Sequence, residues 1–264
     1  MDLKLAGKRA LVTGSTAGIG FAIAQTLAAE GVEVVVNGRT AARIDAALAA
    51  IAVEVPNAKI TGCAADVSTA EGTASLLSRH PHIDILVNNM GIFDPRPFEA
   101  IDDAEWLRFF ETNVMSGVRL ARHYLPQMKT ANWGRIIFIS SESGLCPPAE
   151  MVHYGMTKSA QLSIARGLAE TTTGTAVTVN SVLPGPTRTE GVAEFFKKMA
   201  AEKGIGEAEM ERFFFNEARP TSILKRFIEP AEVASLVAYI CSPLAAATNG
   251  ASLRVEGGIV RSIA

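Results

Sequence analysis

Three side chains that could carry out proton transfer stand close together in the second half of the chain: Ser141, Tyr154 and Lys158. Residues four apart share one face of a helix, so Lys158 can hold its ammonium beside the Tyr154 phenol. A nearby cation favours the phenolate and would lower the phenol pKa from about 10 towards neutral pH. Such a tyrosine can give or take a proton, although Tyr-x-x-x-Lys also occurs on ordinary amphipathic helices.

A glycine-rich turn near the N-terminus could bind phosphate. It follows the first predicted strand and reads Thr-Gly-Ser-Thr-Ala-Gly-Ile-Gly over 13–20. Its first glycine lets the strand turn tightly, the other two let the backbone approach a ligand, and the helix start offers free N–H groups to a pyrophosphate. The alternative is a flexible turn without a ligand. The residues that a nucleotide would meet here are Gly14, Ser15, Thr16, Gly18, Ile19 and Gly20.

Short apolar runs alternate with helical patterns along the chain, and these predict the elements that must position the reactive groups. The predicted strands are Arg9–Thr13, Glu33–Asn37, Lys59–Cys63, Ile83–Asn88, Arg135–Ser140, Ala176–Val182 and Ser252–Val255. The predicted helices are Ile19–Glu30, Ala41–Ile51, Thr69–Arg79, Asp103–Pro126, Tyr154–Thr173 and Pro230–Cys241. This rhythm predicts one α/β domain over 1–264, with a doubly wound, mostly parallel seven-stranded sheet and helices on both faces.

One connection, Arg188–Glu229, is far longer than a usual link between a strand and a helix. Its apolar residues, separated by polar ones, predict one or two short helices. We expect this insertion to cover the substrate, either lining an apolar pocket or forming a mobile lid, with ordinary surface packing as the alternative. The apolar residues concerned are Phe195, Phe196, Met199, Met210, Phe213, Phe214 and Phe215.

The composition argues against several classes of protein. A net charge of −2 with no long basic run is not typical of nucleic-acid binding. No apolar run approaches the roughly 20 residues of a membrane span, and no His or Cys cluster predicts a catalytic metal. The cysteines at 63, 146 and 241 are scattered, which favours reduced thiols in a cytoplasmic protein.

Taken in order, the motifs resemble those of the short-chain dehydrogenase/reductase family over nearly the whole chain. They are Thr13-Gly14-x-x-x-Gly18-Ile19-Gly20, Asp66-Val67, Asn88-Asn89-Met90-Gly91, Asn113-Val114, Ser140-Ser141, Tyr154-x-x-x-Lys158, Asn180-x-x-x-Pro184-Gly185 and Glu256-Gly257-Gly258. Each motif is weak alone, but the ordered set is specific. The resemblance implies a Rossmann-type domain with a nicotinamide cofactor. Several of these residues also follow predicted strands, at the sheet edge where open α/β sheets bind ligands.

The resemblance implies roles for four catalytic residues. Tyr154 would protonate a substrate carbonyl oxygen, or deprotonate an alcohol in reverse, and Ser141 would hydrogen-bond that oxygen. Lys158 would hold the nicotinamide ribose and lower the Tyr154 pKa, while Asn113 would support a water beside the lysine. Ser140 is the alternative serine, although the spacing to Tyr154 favours Ser141, and a solvent-facing helical position is the alternative for Asn113.

The resemblance also implies cofactor contacts after three other strands. Asp66 and Val67 would lie near the adenine, the Asn88 and Gly91 turn would line the cofactor groove, and the segment after the sixth strand would meet the nicotinamide and the phosphates. A cap or turn is the structural alternative for most of these positions. His153, beside the tyrosine, is interpreted as a pocket-rim or surface residue. The contacts in the segment after the sixth strand are Pro184, Gly185, Thr187 and Thr189.

The end of the second strand bears on the choice of cofactor. An acidic residue normally accepts the ribose hydroxyls of NAD there, but this strand ends in Gly38 and Arg39. No carboxylate would repel a 2′-phosphate, and the Arg39 guanidinium could pair with one. The sequence thus favours NADP over NAD, with a solvated arginine at a helix start as the alternative.

These observations predict an NADP-dependent oxidoreductase that interconverts a ketone and a secondary alcohol and takes a partly apolar small molecule. Two alternatives stay open: an epimerase or enoyl reductase on the same fold, and a catalytically silent dinucleotide-binding regulator. The helices predicted at Asp103–Pro126 and Tyr154–Thr173 resemble those that pair in family oligomers. The resemblance therefore implies a homotetramer or a homodimer.

Overall fold

The structure is a computed structural model that describes residues 1–263. Ala264 and the side chains of Phe195 and Glu202 lie outside the described part. The last residue of the predicted domain and the expected contribution of the Phe195 ring to a pocket are therefore not described.

The described strands form one sheet in the order β3-β2-β1-β4-β5-β6-β7, and every neighbouring pair is parallel. They are β1 (Arg9–Val12), β2 (Glu33–Gly38), β3 (Ile60–Ala64), β4 (Ile85–Asn88), β5 (Gly134–Ile139), β6 (Val177–Pro184) and β7 (Ser252–Val255). The order reverses between β1 and β4, as in a doubly wound Rossmann-type sheet. The predicted fold is confirmed, and the sheet is parallel throughout.

Central strands form where the sequence has unbroken apolar runs. Every residue of β4, β5 and β6 is buried, because helices cover both faces of the sheet. The outer strands β3 and β7 instead mix exposed with covered positions. The burial pattern thus follows the hydrophobicity of each strand and its place in the sheet.

Helices cover both faces. They are α1 (Gly18–Ala29), α2 (Ala41–Glu54), α3 (Ala70–Arg79), α4 (Asp103–Phe110), α5 (Ser116–Thr130), α6 (Val152–Glu170), α7 (Glu190–Lys203), α8 (Glu207–Glu217) and α9 (Pro230–Cys241). Apolar residues of α1, α2 and α9 share one core with one face of the sheet, while those of α3, α5 and α6 share a second core with the other. Among the described helices, none is both long and apolar enough to span a membrane.

Two regions differ from, or sharpen, the prediction. The helix predicted to end at Pro126 continues to Thr130, and a π-helical turn, Glu111–Met115, separates α4 from α5. Proline removes one hydrogen bond without ending this helix, because α5 packs on the sheet through Leu120, Tyr124 and Met128. The long insertion contains α7 and α8, as the prediction of one or two helices requires.

Candidate active site

The carboxyl ends of the parallel strands meet at one edge of the sheet, and a cleft of about 420 Å³ opens there. It brings together side chains from the glycine turn, the end of β5, α6 and the segment that follows β6. Predicted site residues that line the cleft are Ile19, Ser141, Tyr154, Pro184, Gly185, Thr187 and Thr189.

Ser141 and Tyr154 face each other across this cleft. Ser141 follows β5, Tyr154 lies in the first turn of α6, and the Ser141 hydroxyl lowers the pKa of the Tyr154 phenol. The Lys158 ammonium lies 5.5 Å from the centre of the Tyr154 ring. Ser140 instead donates its hydroxyl to the Lys158 carbonyl at 2.8 Å. This arrangement favours Ser141 over Ser140 as the serine that acts with the phenol.

Glu142 is a buried carboxylate in the cleft to which the sequence assigned no function. It accepts a hydrogen bond from the Ser141 hydroxyl, and its Oε1 lies 3.6 Å from Nε of Arg219. Burial raises the pKa of Glu142, while the Ser141 hydrogen bond and the Arg219 charge act in the opposite direction. A glutamate directly after the candidate serine was a visible signal, but Arg219 comes from a distant segment.

The pKa of Tyr154 is raised, opposite to the direction predicted from the Tyr-x-x-x-Lys spacing. Burial of the phenol is the largest cause, and the negative charge of Glu142 adds to it. The Ser141 hydrogen bond and the Arg219 charge lower the pKa by less. The predicted direction is therefore wrong here, because desolvation and Glu142 outweigh every stabiliser of the phenolate.

Lys158 is buried, and desolvation lowers its pKa to about 8. Its ammonium donates to the Ile139 carbonyl at 3.0 Å and to Oε1 of Gln161 at 3.2 Å. Gln161, one turn further along α6, also donates to the Asn113 carbonyl at 2.6 Å. The sequence analysis missed Gln161, and this glutamine joins the lysine to the π-helical turn.

Asn113 is buried inside the π-helical turn, so its solvent-facing alternative is wrong. Its side chain accepts from the Ile92 N–H at 2.8 Å and donates to the Ile92 carbonyl at 3.0 Å. It also donates to Oγ1 of Thr157 at 3.0 Å. The wider turn leaves the Asn113 carbonyl open to Gln161. Asn113 thus ties the loop after β4 to α6.

Buried polar side chains hold the glycine turn in place. The Asn37 side chain accepts from the Gly14 N–H at 3.3 Å and donates to the Cys63 and Ala65 carbonyls, both at 3.1 Å. The Asn89 amide donates to the Thr13 carbonyl at 2.9 Å. The sequence analysis did not predict that Asn37 and Asn89 hold this edge of the sheet in place. Their hydrogen-bond partners lie far away in the sequence, and no motif links them.

Three predicted cofactor contacts, Ser15, Asp66 and Val67, also have partners within the protein. The Ser15 hydroxyl is buried and donates to the Val12 carbonyl at 2.7 Å, and Val67 belongs to a hydrophobic core. Asp66 accepts from the Ser68 N–H and hydroxyl at 3.0 and 2.6 Å, which is the turn role given as its alternative. Asn88 is buried, and its side-chain amide has no hydrogen-bond partner in the described structure.

The end of β2 carries an exposed, unpaired cation. Arg39 has no ion pair or hydrogen bond among the described residues. A Cβ on Gly38 would lie 2.5 Å from Cγ2 of Thr16, so the glycine leaves room for that side chain. The structure thus places Thr16 and Arg39 around the end of β2, with no carboxylate at Gly38.

The α7–α8 segment forms one wall of the cleft through an aromatic cluster. Phe196 and Phe214 are edge-on at 4.9 Å between ring centres, and Phe214 stacks on Phe227 at 5.7 Å. Arg219 follows α8 and lies over the Phe214 ring at 5.6 Å. Phe196, Phe214 and Phe227 all line the cleft.

His153 is fully buried, so its interpretation as a pocket-rim or surface residue is wrong. Its ring packs against Phe109 at 4.0 Å and against Trp106 at 6.0 Å between ring centres, because α4 covers that side of α6. The described residues contain no group of three or more His, Cys, Asp or Glu side chains that could hold a metal ion.

Comparison with known proteins identifies the family. The family model for short chain dehydrogenases matches residues 8–200. The chain belongs to the short-chain dehydrogenase/reductase family. It is therefore an NAD(P)-dependent oxidoreductase that acts on CH–OH groups.

Its relatives span the full chain. An uncharacterized oxidoreductase, YvaG, of Bacillus subtilis is 49% identical, with both chains covered completely. A D-beta-hydroxybutyrate dehydrogenase of Cupriavidus necator is 34% identical over 97% of this chain and 99% of its own. The solved structure of L-sorbose reductase from Gluconobacter frateurii, complexed with NADPH and L-sorbose, is 30% identical with a TM-score of 0.91 and complete coverage of both chains.

The residues of this short-chain dehydrogenase fit the dinucleotide that its family uses. Gly14 and Gly18 take φ angles of 61° and 57°, which favour glycine, and a Cβ on Gly18 would lie 3.0 Å from Cγ2 of Thr189. A Cβ on Gly91 would lie 3.4 Å from the Lys158 ammonium. Bare backbone thus faces side chains across the groove at both ends, as close approach by a ligand requires.

Proposed function

We propose that the protein is an NADP-dependent reductase that interconverts a ketone and a secondary alcohol, with Tyr154 as general acid and base. The observation that carries the proposal is that Ser141 and Tyr154 line the same cleft, with the Lys158 ammonium 5.5 Å from the centre of the Tyr154 ring. These are the groups that a carbonyl oxygen needs when it gains a proton.

Each residue has a defined part in this mechanism. The Ser141 hydroxyl, which donates to Glu142 in the structure, would turn to donate to the substrate oxygen and hold it. The Tyr154 phenol would give its proton to that oxygen during reduction. Burial keeps the phenol protonated at neutral pH, which suits this direction. Lys158 binds the nicotinamide ribose, and Asn113 holds the loop above it in place. A reduced nicotinamide, held at its ribose by Lys158, would supply the hydride for the carbonyl carbon.

The preference for NADP is supported by the charge at the end of β2. The free Arg39 guanidinium can pair with a 2′-phosphate, and Gly38 presents no carboxylate to repel it. Thr189 stands across from Gly18 and would contact the phosphates. We expect kcat/KM to be about tenfold higher with NADPH than with NADH, because a hydrogen bond between a guanidinium and a phosphate contributes roughly 1.5 kcal/mol. Equal values with both cofactors would contradict this preference.

The insertion at 188–229 would cover the substrate, since α7 and α8 supply an aromatic wall to the cleft. This supports a carbonyl substrate with an apolar part. The proposal also includes a homodimer or homotetramer and a cytoplasmic location, the latter because the cysteines at 63, 146 and 241 are free in the structure.

A Tyr154→Phe variant tests the mechanism. Turnover of a panel of ketones should fall by about 100-fold or more, because the phenyl ring has no proton to give. NADPH binding should persist, since the ring still fills its place. Turnover equal to that of the unmodified enzyme would remove Tyr154 from the mechanism. Activity confined to activated alkenes or to epimerisation would favour the alternative reactions on this fold, and a lack of any turnover would favour a binding protein.

A further inference from the structure

We infer that the cleft takes electrically neutral carbonyl compounds and discriminates against carboxylates, because Glu142, Glu150 and Arg219 form a charge cluster in its wall without spare positive charge. This inference rests on the proposed function, since it names the substrate class of the same cleft.

Arg219 is already engaged by acidic groups of the protein. Its Nε lies 3.6 Å from Glu142 Oε1, and its Nη1 donates to Glu150 Oε1 at 3.0 Å and to the Ala218 carbonyl at 2.7 Å. Its side chain is only 11% exposed, so little of the guanidinium is open to a ligand. Among the described residues that line the cleft, no other one is basic.

The charge count holds for either protonation state of Glu142. With both glutamates ionised, two carboxylates surround one guanidinium, and the cluster is negative. With a proton on Glu142, the cluster is neutral. Lys158 does not line the cavity, and its ammonium donates to Ile139 and Gln161. No state of the cluster therefore offers a free cation to an anionic substrate.

The rest of the cleft wall is mostly apolar, so it cannot replace the missing cation as a partner for a carboxylate. Aromatic and aliphatic side chains such as Phe93, Met151 and Phe214 line the cleft, and they would remove water from a bound carboxylate without replacing it. A carboxylate at the guanidinium would have to share it with Glu142 and Glu150, which already face its Nε and Nη1, or displace one of them. Displacing the buried Glu142 would leave an unpaired charge, which is strongly unfavourable. A neutral amide, ester or hydroxyl has no charge to desolvate and need not displace a glutamate. An amide or a hydroxyl can also donate a hydrogen bond to the half-exposed Glu150.

Matched substrate pairs test the inference directly. With NADPH at pH 7, kcat/KM should be compared for 3-oxohexanamide and 3-oxohexanoate, and for acetoacetamide and acetoacetate, which differ in charge but little in shape. We expect the amide to be favoured by about 100-fold in each pair, as for a buried charge without a partner. Values for amide and acid within about threefold of each other would overturn the inference.

A single substitution should shift the discrimination. Glu150→Gln removes one negative charge while keeping the size of the side chain, and it should raise the acid-to-amide ratio of kcat/KM by about tenfold, mainly through the KM of the acid. Glu194→Gln is the matched control, because Glu194 is exposed on α7 and does not line the cleft. A Glu150→Gln ratio no different from that of the control would contradict the assignment of the cluster.

Binding of unreactive ligands separates this inference from the proposed function. Hexanamide and hexanoate can be titrated into the NADPH complex and followed by the cofactor's fluorescence. If no ketone is reduced, the proposed function fails, yet binding of hexanamide without hexanoate would still support a cleft for neutral molecules. Binding of hexanoate as tight as that of hexanamide, or binding of neither, would overturn the inference.

Discussion

At the scale of single residues, the site is governed by burial as much as by neighbouring charges. Tyr154 and Lys158 are both desolvated, which raises the pKa of the phenol and lowers that of the ammonium. Both shifts favour the neutral form of each group. Glu142 opposes the charging of Tyr154 and favours the charging of Lys158. The Glu142 carboxylate thus raises the pKa of both an acid, Tyr154, and a base, Lys158.

Glu142→Gln should shift the pH dependence of alcohol oxidation. Oxidation needs the deprotonated Tyr154, so its rate rises with pH through the pKa of the phenol. Removing the negative charge of Glu142 lowers that pKa, and the rising limb of kcat should move to lower pH. Glu150→Gln is the control, because Glu150 is not among the groups that shift the Tyr154 pKa. A limb that stays in place, or moves equally in both variants, would count against this coupling.

Lys158→Met should abolish activity and remove the part of the pH dependence of stability that comes from burying the ammonium. Below pH 8 the lysine is charged in both folded and unfolded chains, so the folded protein carries the full cost of burying that charge, about 3 kcal/mol. Between pH 8 and the ordinary pKa of 10.5, the folded lysine is neutral while the unfolded one stays charged, and the cost falls. Loss of the ammonium's two hydrogen bonds leaves buried acceptors without a donor, which opposes the gain at pH 7.

Urea unfolding of the enzyme and of the Lys158→Met variant at several pH values checks this prediction. The stability of the variant relative to that of the enzyme should fall as the pH rises from 8 towards 10.5. A relative stability that rises with pH in this range would have the wrong sign.

At the scale of elements, the π-helical turn between α4 and α5 connects the loop after β4 to α6. It supplies Asn113, whose side chain pairs with both backbone groups of Ile92 and with Thr157, while its carbonyl accepts from Gln161. An α-helical turn would use that carbonyl within the helix. The π-helical turn thus helps to position Lys158 through Gln161, which contacts both the turn and the lysine.

Asn113→Leu should destabilise the protein by about 1–3 kcal/mol, because it leaves the N–H and C=O of Ile92 without partners in a partly buried place. The free energy of unfolding in urea measures this loss. Asn216→Leu is the control, since Asn216 is exposed on α8, and it should change stability by less than about 0.5 kcal/mol. Similar losses in the two variants would show that the Asn113 hydrogen bonds contribute little.

At the scale of the whole molecule, α4 presents apolar side chains that the single chain does not cover. Leu107 and Phe110 lie on α4, whose other side packs on α6. Leu107 is 65% exposed and Phe110 is 37% exposed. Exposed apolar groups of this kind mark contact surfaces when they cluster. They support the proposed association of copies of this chain, for which the resemblance points to the helices α4–α5 and α6.

Leu107→Glu should weaken that association. A charge placed in an apolar contact is desolvated without a partner, so sedimentation velocity should show a shift from dimer or tetramer towards monomer at micromolar concentration. Val53→Glu provides the control, because Val53 is equally exposed on α2, away from α4. A monomeric unmodified protein, or an unchanged oligomer in Leu107→Glu, would contradict the prediction.

Local patterns in the sequence predicted the parallel sheet, the glycine turn and the grouping of Ser141, Tyr154 and Lys158 at one edge. Strand hydrophobicity and fixed motif spacing act over a few residues, so a linear sequence displays them. The direction of the Tyr154 pKa shift, the burial of His153 and the pairing of Glu142 with Arg219 were decided by the tertiary structure. Each depends on which distant segment packs beside a side chain and how much water it excludes, and no local spacing carries that information.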